Sequence, residues 1–455
     1  MMLPSDSSPS DRARGKSLWV WTARRPRIRQ LDHAPVYSSC AQSSLSPYAR
    51  SMSTSSFPTS SGLRHVLMTP SWYPSPQYPL NGSFFAEQVL MLQNAGFTVG
   101  VLALDATKPW QKKAPVSMSK ENGISTIRGS IVSVPHEKLP AEYPFIRMQA
   151  RRFFELYEVT CGKPDLVHAH SVYPGVLIAQ AASAYWDVPY CLTEHRPSSL
   201  ERPPRSFRGK QIIYAVRSAQ GRATVSSVFA EKLERFYSTT PWTVIALPVS
   251  NAAAQVRLPS YTKGDDIVFC HVSHLGENKR PRLTLRAFAR MRATVGHARL
   301  RVIGGGVSGE VDSLRNYCVE LGISNDVDFL GAQPRDQIFE LLSGANAFVL
   351  ASAVEAGGTV FAEAQMVGLP CVGTDTWAGQ FMIEQQSGIV SPVDDEDALT
   401  EAMTQIARDL VNGSPRFSPL RIRQRAIERF SETTFATSSG KFYRDSLDCF
   451  RRHMS

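Results

Sequence analysis

The stretch S-A-V-E-A-G-G-T-V-F-A-E-A-Q-M-V-G-L-P-C-V, residues 352–372, decides the fold. It lies between two short apolar runs: residues 345–350 (ANAFVL) precede it, and a second run begins at Pro370. Apolar runs of this length, flanked by glycine and proline, are typical of buried strands. The stretch is therefore predicted to fold as a loop, a helix and a turn that connect two strands of one sheet.

Glycines mark both ends of the predicted helix. Gly358 lies in the loop, Thr359 is a good N-cap residue, and Gly368, with a proline two positions later, is a stop signal. Two carboxylates accompany this helix: Glu355 lies in the loop, and Glu363 follows after seven intervening residues. The segment thus combines the free backbone N–H groups of a helix N-terminus with two acidic side chains.

The loop and the helix N-terminus offer a binding site for a phosphate group, because unpaired N–H groups and the positive dipole end both favour an anion. A carboxylate beside a phosphate would repel it, so Glu355 and Glu363 are expected to accept hydrogen bonds from hydroxyl groups. A phosphate flanked by hydroxyl-rich groups describes a nucleotide sugar. The alternative is structural: Glu355 caps the helix and Glu363 is a solvated helical residue.

The stretch resembles the E-x7-E motif of the retaining GT-B glycosyltransferases of family four, S-x-x-E-x-x-G-x-x-x-x-E-A-x-x-x-G-x-P. Seven residues are in register with this motif: Ser352, Glu355, Gly358, Glu363, Ala364, Gly368 and Pro370. Gly357 departs from it, because an aromatic residue is usual there. The resemblance implies transfer of a sugar from a nucleotide-sugar donor with retention of configuration, without a metal ion or another cofactor. It also implies that Glu363 holds the ribose hydroxyls, that Glu355 holds sugar hydroxyls, and that amides around Gly358 and Thr359 stabilise the departing diphosphate.

A loop upstream adds a cation to this predicted site. Residues 274–281, H-L-G-E-N-K-R-P, follow a predicted strand at 267–273 and resemble the family's G-R-L-x-x-x-K-G loop. Lys279 falls on the phosphate-binding lysine, whose ammonium group suits a diphosphate leaving group. His274 replaces the usual arginine, which leaves one cation fewer at neutral pH. The resemblance adds Gly305 to the donor-binding residues.

The first half of the chain is predicted to form the acceptor side. A strand from residue 65, a helix after Gly82 and a strand from residue 98 make a βαβ unit, so a parallel, doubly wound sheet is predicted. Gly82 lies at the carboxyl end of the first strand, where such sheets bind ligands, and the family has a phosphate-binding glycine loop there. His195 follows a strand in T-E-H, where family members place a histidine against the donor sugar. Alternatively, Gly82 is a simple turn glycine, and His195 makes its hydrogen bonds within its own loop.

A histidine pair precedes this site. His168 and His170 are two positions apart in a predicted strand, so both point to the same face. A metal ion is not predicted there, because no third ligand follows at a suitable spacing and the family uses no metal in this domain.

A second glycine motif offers a rival function. Gly304, Gly306 and Gly309 satisfy G-x-G-x-x-G, which would make the protein a dinucleotide-dependent oxidoreductase. That function requires an acidic residue at the end of the following strand. Asp326 and Asp328 instead begin the predicted strand, where the D-V-D sequence indicates turn chemistry and not the metal motif of another glycosyltransferase class.

The chain is predicted to be an α/β protein with two facing, doubly wound Rossmann-like domains of the GT-B fold. The predicted parts are a basic Ser/Arg-rich disordered tail (1–60), an acceptor-side domain (61–249), a linker (250–265), a nucleotide-sugar-binding domain (266–431) and a helix that packs back on the first domain (432–455). The tail is rich in Arg and Ser and poor in acidic residues, which weakly resembles a transit peptide. An upstream start codon is the favoured interpretation, since Met52 lies just before the first recognisable element, so truncation to about residue 60 is expected to leave activity intact.

A non-catalytic GT-B module that binds a sugar nucleotide or a partner remains an alternative. His274 and Trp377 support it, since Trp377 stands in a loop where the family usually has paired glycines. Lys279, Glu355 and Glu363 oppose it, because the residues expected to bind the donor are all present.

Composition narrows the function classes. The net charge is +10, but residues 1–60 carry eight basic and three acidic side chains, so half of the excess lies in the tail and nucleic acid binding is not required. No run approaches the ~18 apolar residues of a membrane span. Seven scattered cysteines without metal spacing indicate a reducing cytoplasm.

The basic segment 196–222 is either a solvated loop or a contact for an anionic lipid-linked acceptor or membrane surface.

Overall fold

A computed structural model of the chain describes residues 63–78, 81–133, 141–201, 206–306 and 309–454. Two sheets, each covered by helices on both faces, make up its α/β architecture. The predicted tail, residues 1–60, lies outside the described residues. No helix in the described ranges is both long and apolar enough to cross a membrane.

The first sheet lies between residues 65 and 244 and has the strand order β3-β4-β2-β1-β5-β6-β7-β8. All its strands are parallel except β3, which forms an antiparallel hairpin with β4. The strands are β1 (His65–Pro70), β2 (Thr98–Thr107), β3 (Ser117–Glu121), β4 (Ile124–Val132), β5 (Leu166–His170), β6 (Tyr190–Glu194), β7 (Gly221–Thr224) and β8 (Thr243–Val244).

The second sheet is entirely parallel and has the order β11-β10-β9-β12-β13-β14. Its strands are β9 (Ile267–Val272), β10 (Ala298–Ile303), β11 (Val327–Gly331), β12 (Ala347–Leu350), β13 (Cys371–Thr374) and β14 (Gly388–Ser391). This is the strand order of a Rossmann fold, in which ligands bind where the order reverses. In the second sheet that switch point lies between β9 and β12, and in the first sheet it lies between β1 and β5.

Helices connect the strands and cover the sheets. Those of the first domain are α1 (Ser83–Asn94), α2 (Glu142–Cys161), α3 (Leu177–Trp186), α4 (Phe207–Ser218) and α5 (Ser227–Tyr237). Those of the second domain are α6 (Pro281–Val295), α7 (Glu310–Glu320), α8 (Arg335–Ser343), α9 (Thr359–Val367), α10 (Trp377–Met382), α11 (Glu396–Val411) and α12 (Pro419–Phe430), and α13 (Glu432–Met454) ends the described chain.

The last helix crosses back to the first domain, as predicted. Tyr443 of α13 is buried, and its hydroxyl lies 2.9 Å from Nδ1 of His168 in β5. A Cβ atom at Gly221 in β7 would lie 2.1 Å from the hydroxyl of Ser446, so α13 packs directly on the sheet. The predicted fold class is therefore confirmed in both its domains and its crossing helix.

Candidate active site

Gly358 shapes the loop between β12 and α9. Its φ is 57°, and a Cβ atom there would lie 2.8 Å from the Cβ of Ala378, so glycine is required by both conformation and space. Gly358 is the N-cap and Thr359 is the first helical residue. The prediction of Thr359 as the N-cap is wrong, because the chain enters α9 through a left-handed turn that costs glycine less than threonine.

Lys279 and Glu355 meet at the switch point of the second sheet. Lys279 ends a short 3-10 turn after β9, and its Nζ contacts Oε2 of Glu355. The two side chains are 21% and 18% exposed, so the ion pair remains open to solvent. The loops are also bonded through their backbones, since the amide of Ala353 donates to the carbonyl of Asn278 at 2.8 Å. An ammonium group beside a helix N-terminus can bind a diphosphate while Glu355 balances its charge.

Glu363 lies in α9, but its carboxylate contacts an arginine that the sequence did not single out. Nε and Nη2 of Arg335 donate to Oε1 of Glu363 at 2.9 and 2.5 Å. Nη1 of Arg335 contacts Glu87, which belongs to α1 of the first domain. Glu363 is 6% exposed, so it is not the solvated helical residue of the structural alternative. Burial raises the pKa of Glu363, and the positive charge of Arg335 opposes this rise.

His274 and Gly305 lie on neighbouring loops at the same edge of the second sheet. His274 is exposed in the loop after β9. A Cβ atom at Gly305 would have only one ordinary contact, 3.8 Å from Ala332, whereas one at Gly304 would lie 1.7 Å from the carbonyl oxygen of Ser273. The protein itself therefore requires glycine at Gly304 and leaves open space at Gly305.

His195 lies at the carboxyl end of β6 and is paired with His170 at the end of β5. Nε2 of His195 is 3.1 Å from Nδ1 of His170, and the two rings are stacked with their centroids 5.3 Å apart. Phe84 and Phe85 of α1 pack against the His195 ring. Burial lowers the pKa of His195 well below its usual value and lowers the pKa of His170 to about 3. Both rings are therefore neutral at pH 7, and one ring donates an N–H hydrogen bond to the other.

His168 has a structural role. Its two ring nitrogens bond to the hydroxyls of Tyr443 and Thr193 at 2.9 and 2.8 Å, so neither nitrogen is left to bind an ion. Among the described residues, no group of three or more His, Cys, Asp or Glu side chains is placed to hold a metal ion.

Glu194 fixes the loop that carries His195, and the sequence pattern T-E-H contained this signal although only His195 was predicted. It is fully buried, and its carboxylate accepts hydrogen bonds from the amides of Val172, His195 and Arg196 and from the hydroxyl of Ser171, at 2.7–3.0 Å. Burial raises the pKa of Glu194, and the amide and charge of Arg196, the amide of Val172 and the hydroxyl of Ser171 counteract the rise. The ends of β5 and β6 are therefore held together by one carboxylate.

Gly82 precedes α1 at the edge of the first sheet. It adopts φ 81° as the N-cap of α1, and a Cβ atom there would lie 2.8 Å from the ring of Trp72. The guanidinium of Arg196 stacks on the ring of Trp72, 4.1 Å from the ring centroid. The turn and the tryptophan are thus sufficient to require glycine at this position.

Two family models match the chain over most of the two domains. The model described as "Glycosyltransferase Family 4" matches residues 83–251, and the model described as "Glycosyl transferases group 1" matches residues 257–418. The chain belongs to the group 1 glycosyltransferases of family four.

Curated relatives and solved structures agree with this assignment. A D-inositol 3-phosphate glycosyltransferase of Saccharomonospora viridis is 26% identical over 318 residues, which cover 64% of this chain and 72% of the relative. TuaC of Bacillus subtilis, named for teichuronic acid biosynthesis, is 26% identical over 373 residues, 76% of this chain and 90% of the relative. The structure of Anabaena Alr3699/HepE in complex with UDP and glucose has a TM-score of 0.60 and 16% identity over 84% of this chain and 99% of that one. That likeness shows the GT-B fold.

The rival dinucleotide function does not fit this glycosyltransferase. Asp326 precedes β11 and pairs with Arg292 at 2.9 Å, and Asp328 lies inside β11 and pairs with Arg299 at 3.1 Å. The strand ends at Gly331, so no carboxylate stands where a ribose of a dinucleotide would be recognised. The acidic pair stabilises the edge of the sheet and does not form a metal motif.

Some of the described basic residues of segment 196–222 point into the protein. Arg208 is buried, pairs with Glu142 at 3.1 Å and stacks on the ring of Tyr173. Arg222 donates to backbone carbonyls, among them that of residue 219 at 2.7 Å. Arg208 and Arg222 therefore do not form the surface contact that was considered for the whole segment, while Lys210 and Arg217 are exposed. Arg202 and Arg205 lie outside the described residues.

Two of the three departures from the family pattern, Gly357 and Trp377, lie at the contact between the domains. A Cβ atom at Gly357 would lie 2.4 Å from Cδ1 of Leu247, so the glycine lets the first domain approach the E-x7-E loop. Trp377 stacks on Phe229 of α5 with the ring centroids 5.0 Å apart, and Nζ of Lys232 lies over its ring. At this contact the usual aromatic side chain is absent at Gly357, and Trp377 places an aromatic side chain where glycines are usual.

Proposed function

We propose that the protein transfers a sugar from a nucleotide-sugar donor to a glycan or lipid-linked acceptor, with retention of configuration and without a divalent cation. The observation that carries the proposal is the contact of Lys279 with Glu355 beside the N-terminus of α9, at the switch point of the second sheet. A cation, a helix N-terminus and a carboxylate at one point suit a diphosphate joined to a sugar.

Lys279 and the amides around Gly358 and Thr359 stabilise the departing diphosphate in this proposal. Glu355 accepts hydrogen bonds from the sugar hydroxyls, and Glu363 accepts them from the ribose hydroxyls. The bond between the anomeric carbon and the diphosphate oxygen breaks, and a bond from the same carbon to the acceptor oxygen forms on the same face. The acceptor's proton passes to the leaving phosphate oxygen, so no separate protein base is required.

His195 orients the sugar at the reacting face. It is neutral, because burial lowers its pKa, and it therefore binds as a hydrogen-bonding group and not as a cation. Its Nδ1 is buried and has no hydrogen-bond partner among the described residues. Gly82, Gly305 and His274 line the donor side in this proposal, and the open space at Gly305 gives a phosphate room to approach the backbone.

The acceptor belongs to cell-surface polysaccharide or glycolipid synthesis in this proposal, since relatives are named for D-inositol 3-phosphate and for teichuronic acid. The enzyme acts in the cytoplasm, with peripheral contact to an anionic membrane when the acceptor is lipid-linked. Phe207 and Tyr214 of α4 are 43% and 66% exposed beside Lys210, a combination that suits a membrane interface. Salt-sensitive binding to anionic liposomes, lost in Phe207→Ser/Lys210→Ala, tests this part. Equal binding by that variant would contradict it.

Thermal stabilisation by UDP-, GDP- and ADP-glucose identifies the base, and proton NMR of the product identifies the anomeric configuration. The proposal predicts that at least one of the three nucleotide sugars stabilises the protein and that transfer or slow hydrolysis proceeds in EDTA. Binding without any turnover would favour the non-catalytic module. An inverted product, or turnover abolished by EDTA and restored by Mg²⁺, would contradict the retaining, metal-independent course.

A further inference from the structure

Arg335 lies between the two domains and is bonded to a carboxylate of each. We propose that Arg335 is a positioning residue of the donor site: it keeps Glu363 ionised and oriented for the ribose hydroxyls, and through Glu87 it couples that carboxylate to the first domain. The inference rests on the proposed function, because it assigns a partner to the glutamate that binds the ribose. The inference goes beyond the proposed function, because neither Arg335 nor Glu87 belongs to the E-x7-E motif or to the lysine loop.

The geometry leaves one oxygen of Glu363 for a ligand. Both Nε and Nη2 of Arg335 donate to Oε1, at 2.9 and 2.5 Å. In the part of the chain that the structure describes, no donor is bonded to Oε2. A ribose hydroxyl can therefore donate to Oε2 while Arg335 keeps Oε1 and fixes the plane of the carboxylate.

The buried position of Glu363 makes this partner necessary. Its side chain is 7% exposed, and an ion in such surroundings loses most of its hydration. Burial raises the pKa of Glu363 and Arg335 opposes the rise. Burial alone would lower the pKa of Arg335, but the carboxylates of Glu363 and Glu87 outweigh it and leave that pKa raised. Without Arg335, protonation would convert Glu363 from a strong acceptor into a group that competes to donate.

Few other charges act on Glu363. Arg335 reaches it from α8 and Glu87 from α1, and these are the two charged groups that shift its pKa. Arg423 of α12 packs on α9 but donates to a backbone carbonyl at 2.7 Å. Cys371 of β13 is buried, and its thiol is directed to backbone carbonyls. A pH dependence that appears when Arg335 is replaced can therefore be assigned to Glu363.

Only arginine can make this bridge. One edge of the guanidinium, Nε and Nη2, faces Glu363, and the remaining nitrogen, Nη1, faces Glu87. A lysine ammonium at the same place can pair with one carboxylate but lacks the planar fork that reaches two. Arg335→Lys therefore separates the charge of residue 335 from its bridging role. Glu87→Gln removes the link to the first domain while the charge of Arg335 stays beside Glu363.

Calorimetric titration with UDP, GDP and ADP at pH 5.5, 6.5, 7.5 and 8 tests the proposal, with each variant expressed as a ratio to wild type. Arg335→Gln should weaken the affinity for the bound nucleotide about tenfold or more at pH 5.5, and the loss should shrink toward pH 8 as Glu363 ionises. Arg335→Lys and Glu87→Gln should show a smaller loss that is the same at every pH. The matched control, Arg290→Gln, removes an exposed ion-paired arginine of α6 and should equal wild type.

A nucleotide-free measurement separates this inference from the proposed function. If none of the three nucleotides binds wild type, the proposed function fails, and thermal unfolding between pH 5 and 8 then decides the inference. In Arg335→Gln the folded protein holds a proton on Glu363 that the unfolded chain releases, so its Tm should fall with rising pH relative to wild type. Arg335→Gln/Glu363→Gln should lack this excess slope. An affinity ratio of Arg335→Gln to wild type that is constant with pH, or a Tm difference between Arg335→Gln and wild type that is constant with pH, would overturn the proposal.

Discussion

The ammonium group of Lys279 contacts the carboxylate of Glu355, although 76 positions separate the two residues in the chain. Each residue follows a different strand, β9 or β12, and these two strands are neighbours at the switch point of the second sheet. The contact therefore joins the lysine loop and the E-x7-E loop into one site. The proposed donor site depends on this contact, because a lysine and a carboxylate that lay far apart could not bind the same ligand.

Replacement of Lys279 tests the role of the cation. Lys279→Gln removes the charge that stabilises the departing diphosphate and leaves Glu355 without its partner, so turnover should fall ~100-fold or more. Initial rates of nucleotide release measure this loss. Lys263→Gln, an exposed lysine before β9, is the control and should keep the wild-type rate. Equal rates in the two variants would remove Lys279 from the mechanism.

Replacement of Glu363 tests the ribose contact. A hydrogen bond from a hydroxyl to a carboxylate contributes ~1.5–3 kcal/mol, so Glu363→Ala should weaken nucleotide binding by about tenfold or more. Calorimetry at pH 7.5 measures the affinity, and Glu340→Ala, an exposed carboxylate on α8, serves as the control. An affinity unchanged by Glu363→Ala would assign Glu363 a purely structural role with Arg335.

The sequence identified the parts of the site that depend on local pattern. β12 was visible as an apolar run because a strand in a parallel sheet is buried on both faces, and residues 347–350 are all buried. The glycines at both ends of α9 were visible because left-handed turns favour glycine. Glu355 and Glu363 were visible because the motif places them at fixed spacing.

Other parts could not be read from local pattern. Arg335 is 28 positions from Glu363 and 248 from Glu87, so only the folded domains bring the three together. The hairpin of β3 and β4 was missed because β3 is an exposed edge strand, S-M-S-K-E, without an apolar alternation. The burial of Arg208 was missed for the same reason as Arg335, since its partner Glu142 lies on another helix.

Restoring the usual aromatic residue at Gly357 should destabilise this protein. Gly357→Phe would place a Cβ atom 2.4 Å from Leu247, and overpacking of this kind costs about 1–3 kcal/mol. Chemical denaturation should show the loss, and Leu247→Ala in the Gly357→Phe background should recover part of it. A Gly357→Phe variant as stable as wild type would show that the contact between the domains is not formed in solution.

Acid should destabilise the folded protein through His170. Burial lowers the pKa of His170 to about 3, so between pH 6.5 and that value the unfolded chain binds a proton that the folded protein does not. Stability should therefore fall as pH falls, by about 1.4 kcal/mol per pH unit for this group. His170→Gln should show a correspondingly smaller slope between pH 6.5 and 4, while His297→Gln, at an exposed position, should keep the wild-type slope. Identical slopes for His170→Gln and wild type would contradict the neutral His170–His195 pair.

Calorimetric titration of the wild-type protein and of Lys279→Gln with UDP, GDP and ADP tests the donor site most directly. At least one of these nucleotides should bind wild type saturably and one-to-one, and its binding to Lys279→Gln should be at least tenfold weaker. Wild-type protein that binds none of the three, or a Lys279→Gln variant that binds as tightly as wild type, would contradict it.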